Sequence, residues 1–209
     1  MKKNIILISA WLAIAPLVQA QSGNVFSVEA GYTNPKDAKG GVFAGLMIGR
    51  ALDQSVNVSL GVDYFKKSYS EESVVATQNE QGLTSNTYTT AVDYNRTIIP
   101  INLVMDARIP TSRYFGYFIR GGLSYQLLFS EETNYELDQK ETRRFRGLGW
   151  IGAAGFFYHI GRRSTLMMGA TYNSCEVSRD IEQSEQGLPI SERVDLSGIG
   201  FRLGVSLDL

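Results

Sequence analysis

Hydrophobic and polar positions alternate with period two in eight runs, at about 24–33, 42–50, 56–65, 97–109, 114–127, 146–160, 165–173 and 196–209. This period marks strands with two chemically different faces. One parity reads Phe26, Val28, Ala30, Tyr32 in the first run, then Val42, Ala44, Leu46, Ile48, then Val56, Val58, Leu60, Val62, Tyr64. It continues in phase through alternate residues of 99–107, 117–125, 148–158, 166–172 and 201–209, and no position in it is charged. The opposite parity holds Ser27, Glu29, Asn57, Ser59, Asp63, Asn102, Asp106, Arg108, Arg120, Ser124, Gln126, Arg202, Ser206 and recurring glycine.

Alternation alone leaves open which face points outward, because a soluble lipocalin-like barrel would turn its apolar set inward. An eight-stranded barrel encloses only enough room for side chains to fill, so Trp150, six tyrosines and the many aliphatic residues of the first set cannot all enter it. The second set would also make a poor water-facing surface, being glycine-rich and carrying Phe43, Met47, Phe118, Ile151 and Phe157. The bulky set is therefore expected to face lipid, and the small and polar set to fill the lumen. No segment after the N-terminus has eighteen consecutive apolar residues. A membrane-spanning chain without such helices must close a sheet, so that every backbone group finds a partner. The expected fold is all-β, an eight-stranded antiparallel up-and-down transmembrane β-barrel.

The connections fit that topology. Residues 51–55, 110–113 and 161–164 are short turns, whereas 66–96, 128–145 and 174–195 are long and polar. Short periplasmic turns and longer outer loops are the outer-membrane pattern. At the N-terminus, Lys2 and Lys3 precede an apolar stretch over 5–17 and a small-x-small site at Val18-Gln19-Ala20. This predicts a signal peptide over 1–20, cleavage before Gln21 and a single barrel domain over 21–209. The leader holds two lysines and no acid, so 20 Lys+Arg and 21 Asp+Glu become 18 and 21, a net charge of −3. Nothing in that balance favours nucleic acid. Cys175 is the lone cysteine, which excludes an internal disulfide and reads as an unpaired thiol.

The turn-strand unit Gly49-Arg50-Ala51-Leu52-Asp53-Gln54-Ser55-Val56-Asn57-Val58-Ser59-Leu60-Gly61-Val62-Asp63-Tyr64-Phe65 and the closing strand Gly198-Ile199-Gly200-Phe201-Arg202-Leu203-Gly204-Val205-Ser206-Leu207-Asp208-Leu209 carry a resemblance. The chain resembles small eight-stranded outer-membrane barrels, the group of OmpX-like proteins and the OmpA membrane domain, and the broad outer-membrane protein β-barrel domain family. The resemblance is one of pattern over 21–209. It implies the outer membrane of a Gram-negative bacterium, contact with outer-membrane lipids and lipopolysaccharide, and folding by the barrel-assembly machinery. Many such barrels end in Phe or Trp, whereas this chain ends in Leu209.

Two constellations stand out. Glu29, Asp63 and Asp106 share the lumen parity with Arg108, Arg120 and Arg202, and charges buried in a narrow barrel must pair. Depth along the strands suggests a Glu29–Arg202 bridge across the seam between first and last strands. A filled plug is expected rather than a polar path. Tyr32, Tyr64, Tyr125 and Tyr172 end the outward rows of the odd-numbered strands and suit an aromatic girdle at the outer interface. The one histidine, His159, has lumen parity at the periplasmic end, the wrong height and face for lipid chemistry. No catalytic constellation, metal-ligand cluster or cofactor motif is evident. A structural or surface-interaction role through the outer loops follows, chiefly 66–96, towards an unidentified extracellular ligand. A narrow pore for small solutes and a lipid-modifying enzyme are the alternatives. Segment 66–96 reads as a solvated hairpin or, if its strands continue, as a protruding sheet open to strand addition. The acidic pairs Glu131-Glu132 and Glu182/Glu185 read as solvated loop charges or as divalent-ion bridges to lipopolysaccharide phosphates. A closed barrel has no need of a partner subunit, so a monomer is expected.

Overall fold

The computed structural model describes residues 23–78, 84–134, 139–181 and 190–209, so the leader over 1–20 lies outside it. The described residues form strands and turns without a helix: β1 (Asn24–Pro35), β2 (Gly41–Ala51), β3 (Val56–Gln78), β4 (Thr84–Pro110), β5 (Phe115–Asn134), β6 (Gln139–His159), β7 (Ser164–Ser174), β8 (Glu176–Ile181), β9 (Ile190–Asp195) and β10 (Gly198–Asp208). All pairings are antiparallel, and β1 closes on β10 from Val25↔Asp208 to Pro35↔Gly198. β7 and β8 are one stave broken at Cys175, and β9 and β10 another broken at Leu196-Ser197; the pairs Gly198↔Asn173 and Glu176↔Asp195 keep one register across both breaks. The result is a closed barrel of eight staves.

The register fixes the tilt. A row of cross-strand partners from Val25 runs through Gly49, Ser59, Val104, Gly122, Ile151 and Asn173 to Gly198. Val25 itself pairs with Asp208, so one circuit slips from residue 208 to residue 198, ten residues. Ten residues at ~3.3 Å over eight gaps of ~4.8 Å give a strand tilt of about 40° and a backbone radius of about 8 Å. Each residue then rises about 2.5 Å along the barrel axis, and each step to the next strand about 3 Å.

Side chains sort by parity. Apolar positions of the first set are exposed or half-buried, with Leu148 at 67% and Ile48 at 62% exposure, whereas Glu29, Asp63, Asp106 and Arg120 are all below 5%. An exposed apolar surface this extensive is the architecture of a transmembrane barrel. The interior parity accepts glycine where backbones converge: a Cβ on Gly155 of β6 would collide with the Met168 carbonyl oxygen and stand 2.5 Å from Gly169 Cα on β7.

Much of each long connection is strand, in keeping with the hairpin read at 66–96 and unlike the loops expected at 128–145 and 174–195. β3 and β4 stay paired from the barrel out to Gln78↔Thr84, β5 and β6 to Asn134↔Gln139, and β8 with β9 to Ile181↔Ile190. Once above the apolar belt both faces of a strand meet water, so alternation of polar with apolar fades while backbone pairing persists. The turn between β1 and β2 is short, spanning 36–40. Strands β3, β4, β5, β6, β8 and β9 therefore rise as a curved wall beside a low gap over that turn. Among the described residues, the outer edge of β3 has no strand partner beyond Phe65.

Candidate functional site

The lumen is filled in layers. At the end bearing the short turns, Arg108 lies 4.0 Å from Asp208 and donates to Ser206 Oγ at 3.3 Å. His159 Nδ1 pairs with Thr165 Oγ1 at 2.9 Å. Phe118, Ala153, Phe157 and Met167 pack as the first apolar layer.

Above it sits a charge network built by the three adjoining strands β3, β4 and β5 and by the pair β1 and β10. Glu29 of β1 accepts from Arg120 Nη1 of β5 at 2.9 and 3.0 Å, and from Arg202 Nη1 of β10. Arg120 also donates to Asp106 of β4, its cross-strand neighbour, from Nε at 2.5 Å and Nη2 at 3.3 Å. Arg202 Nη2 donates to Asp63 Oδ2 of β3 at 3.0 Å, and Asn102 Nδ2 to the same oxygen at 2.9 Å. Glu29, Asp63 and Asp106 thus share Arg120 and Arg202, while Arg108 stands apart at the rim with Asp208. Met47, Val104 and Ile151 pack as an apolar group in the same lumen, and the Arg202 guanidinium lies 4.8 Å from the Phe43 ring centroid.

A small cavity of about 60 Å³, bordered by Asp63, Asn102 and Arg202 below and by Phe43, Phe65 and Leu196 above, has room for a few waters at most. Over it lies a second apolar layer of Phe43, Phe65, Ile98, Leu128, Phe145, Cys175, Val177 and Leu196, and Ala38 of the short turn packs onto it. That turn is tied to both sides of the gap. Lys36 Nζ reaches Asp195 at 3.0 Å, the Asp195 amide donates to Asp37 Oδ2 at 2.8 Å, Arg96 donates to the Asp37 carbonyl, and Lys39 lies 4.5 Å from the Tyr69 ring centroid.

The wall has its own ionic brace. Arg143 grips Glu141 at 2.7 Å and reaches Glu192 at 3.4 Å and Glu132 at 3.5 Å, while Arg179 reaches Glu192 at 3.3 Å. Glu131 stands 3.9 Å from Lys140, so the 131–132 pair has basic partners on the next strand. Glu182 and Glu185 lie outside the described residues, as does the 81–83 part of the β3–β4 tip.

Tyr32, Tyr64, Tyr125 and Tyr172 all point outward and are 38–51% exposed. The ten-residue slip brings these scattered register positions to one height, within about 4 Å of each other on the tilt above. Among the described residues, no three His, Cys, Asp or Glu side chains gather as a metal site. Sequence reasoning did not find most of the upper apolar layer. Phe65, Leu128 and Phe145 have lumen parity, but they fall where the alternating runs end.

Comparison with protein-family profiles gives no match, and comparison with curated proteins gives none either. Similar solved structures include the outer membrane protein OprG from Pseudomonas aeruginosa, at TM-score 0.58 and 13% identity over 92% of this chain and 99% of that one. A major outer membrane protein from Thermus thermophilus aligns at TM-score 0.56 and 15% identity, over 89% and 99%. Neisserial surface protein A (NspA) aligns at 0.54 and 10%, over 90% and 99%. At these identities the likeness is one of fold, and it is nearly complete over both chains: a small outer-membrane-type β-barrel.

Proposed function

We propose that the chain is a non-catalytic, monomeric outer-membrane protein that acts through contacts made by its extracellular wall. In this reading the leader over 1–20 directs export, the barrel-assembly machinery folds residues 21–209, and lipopolysaccharide and phospholipid surround the apolar belt. The tyrosines form the girdle at the outer interface. The observation that carries the proposal is the contrast between the two ends of the lumen axis. Two apolar layers and a paired charge network occupy the interior, while six strands continue past the belt and present paired backbone and polar side chains to the outside. The interior geometry therefore opposes solute passage, and the wall offers the accessible surface.

Three measurements test this. A heat-shifted band on a gel marks the folded barrel. Planar bilayers should show no steady unitary conductance, and protease applied to intact cells should cut within 66–96. A stable conductance abolished by Arg202→Ala would replace the proposal with a narrow pore for small solutes. A change in the mass of lipid A that depends on the protein would replace it with a lipid-modifying enzyme.

A further inference from the structure

The outward face of β6 changes character abruptly above the belt. Reading upward, Trp150 and Leu148 are apolar and exposed, and Arg146 and Arg144 follow on the same parity. Their cross-strand neighbours on β5 are Leu127 and Phe129, one and two steps beyond Tyr125, which itself pairs with Leu148. On the other side, the β6–β8 ladder is reduced to the single pair Arg146↔Ser178. A notch of about 480 Å³ opens there, lined by Leu127, Phe129, Arg144, Arg146, Ser178 and Arg179.

Two features point to an anion at this notch. Residues two apart on a strand project side by side about 6.6 Å apart, so two guanidiniums in that relation repel unless an anion lies between them. Among the described residues neither Arg144 nor Arg146 has a carboxylate within 4 Å; Arg144 only leans over Phe129, 5.9 Å from its centroid. The nearest outward acids on the flanking strands are engaged elsewhere, Glu176 with Arg193 at 3.2 Å and Glu131 with Lys140. Arg179 borders the notch but is held by Glu192 at 3.3 Å and lies 5.7 Å from the inward Phe145 ring centroid, which leaves Arg144 and Arg146 to hold the anion.

Height selects the kind of anion. Arg146 lies about 8 Å above Tyr125 on the axis and Arg144 about 5 Å higher. A phospholipid headgroup layer is roughly 5–7 Å deep and ends below both. A headgroup made of phosphorylated sugars reaches both, with its acyl chains lying against Leu127, Leu148 and Trp150. We infer that the Arg144–Arg146–Phe129 notch binds the phosphate groups of a phosphorylated glycolipid in the outer leaflet. This rests on the outer-membrane reading above.

Native mass spectrometry of the detergent-folded full barrel tests it, with diphosphoryl lipid A, chemically dephosphorylated lipid A and inorganic phosphate as separate additions. Diphosphoryl lipid A should bind, with retention falling about tenfold or more in Arg144→Gln/Arg146→Gln and by less in the double Lys variant, which keeps charge but loses the planar fork. Dephosphorylated lipid A should bind no better to wild type than to the Gln variant, and inorganic phosphate should not be retained. Equal retention of both lipid forms, unchanged binding in the Gln variant, or retention of free phosphate would each overturn the lipid-phosphate assignment. The heat-shifted band is read on every sample. Its absence from wild type would instead remove the barrel reading on which the site rests. If the Gln variant alone lost that band, the comparison of Lys variant with wild type would decide.

Discussion

Replacing Arg120 by Met should destabilise the barrel far more than replacing Glu29 by Gln, although both sit at the centre of one network. Arg120 is 3% exposed and donates twice to Glu29 and twice to Asp106. Removing it leaves Glu29 and Asp63 to share Arg202 and strips Asp106 of its guanidinium. Breaking a buried pair from one side costs about 3–5 kcal/mol because the remaining charge stays buried. Glu29→Gln does the opposite to the balance. Asp106 keeps Arg120, Asp63 keeps Arg202, and the amide oxygen still accepts a hydrogen bond, so the loss should be about 1–2 kcal/mol. A difference of about 2 kcal/mol is roughly a thirtyfold change in the unfolding equilibrium. Urea unfolding of the barrel in lipid vesicles measures it, followed by tryptophan fluorescence; once 1–20 is removed, Trp150 is the sole tryptophan. If Arg120→Met prevents folding, Arg120→Lys, which keeps the charge without the fork, should fall between the two. Glu29→Gln proving as costly as either arginine variant would refute the charge counting.

Three further outcomes are expected. Gly155→Val should abolish the heat-shifted band or cost about 2 kcal/mol or more, since its side chain meets the β7 backbone, whereas Gly121→Ala, with nothing within 4 Å, should stay within about 0.5 kcal/mol by the same unfolding assay. Hydrogen bonds from Ser197, and then from Lys36, lower the Asp195 carboxyl to about 2. Its folded value lies below its ordinary 3.8, so the clamp on the short turn holds above about pH 4 and is lost as pH falls towards 2. Hydrogen exchange over 36–40 should rise in that window, and a rise of equal size in Asp195→Asn would contradict the assignment. Burial pushes the Cys175 thiol up to about 11, so maleimide should add to the chain only after unfolding, read as a mass increment; rapid labelling of the folded barrel would show an open upper layer.

Staves and facing were legible because a lipid-facing strand shows strict contrast at every second residue, as from Leu148 to Tyr158. Above the belt that contrast disappears: Lys66, Ser68 and Ser70 are all outward and polar, so β3 looks like loop although its ladder continues. The interior contacts were less legible for a different reason. Parity shows that Glu29 and Arg120 both point inward, but whether they meet depends on the slip of the sheet around the barrel. That slip depends on pairing registers, which no single strand encodes. The same slip lowers Arg108 to the rim, beside Asp208, although it shares a strand and a parity with Asp106. The notch at Arg144 and Arg146 lay in a stretch where charged residues are ordinary, and only the heights and the weakened β6–β8 ladder set those two apart.

Glu29 draws its partners from residues 120 and 202, 91 and 173 positions along the chain, and Arg202 arrives on the last stave. A sheet whose β1–β10 seam is still open therefore leaves Asp63 and Glu29 short of the counter-charge that Arg202 brings across it. Docking of β10 on β1 removes that imbalance and joins the backbone edge in the same event. The network thus works as a latch: it makes a half-zipped or slipped sheet electrostatically unfavourable in the bilayer, and it rewards only the closure that puts Arg202 beside Glu29. Fidelity of insertion, rather than strength of the finished barrel, would then be the reason to keep charged residues in so narrow a space.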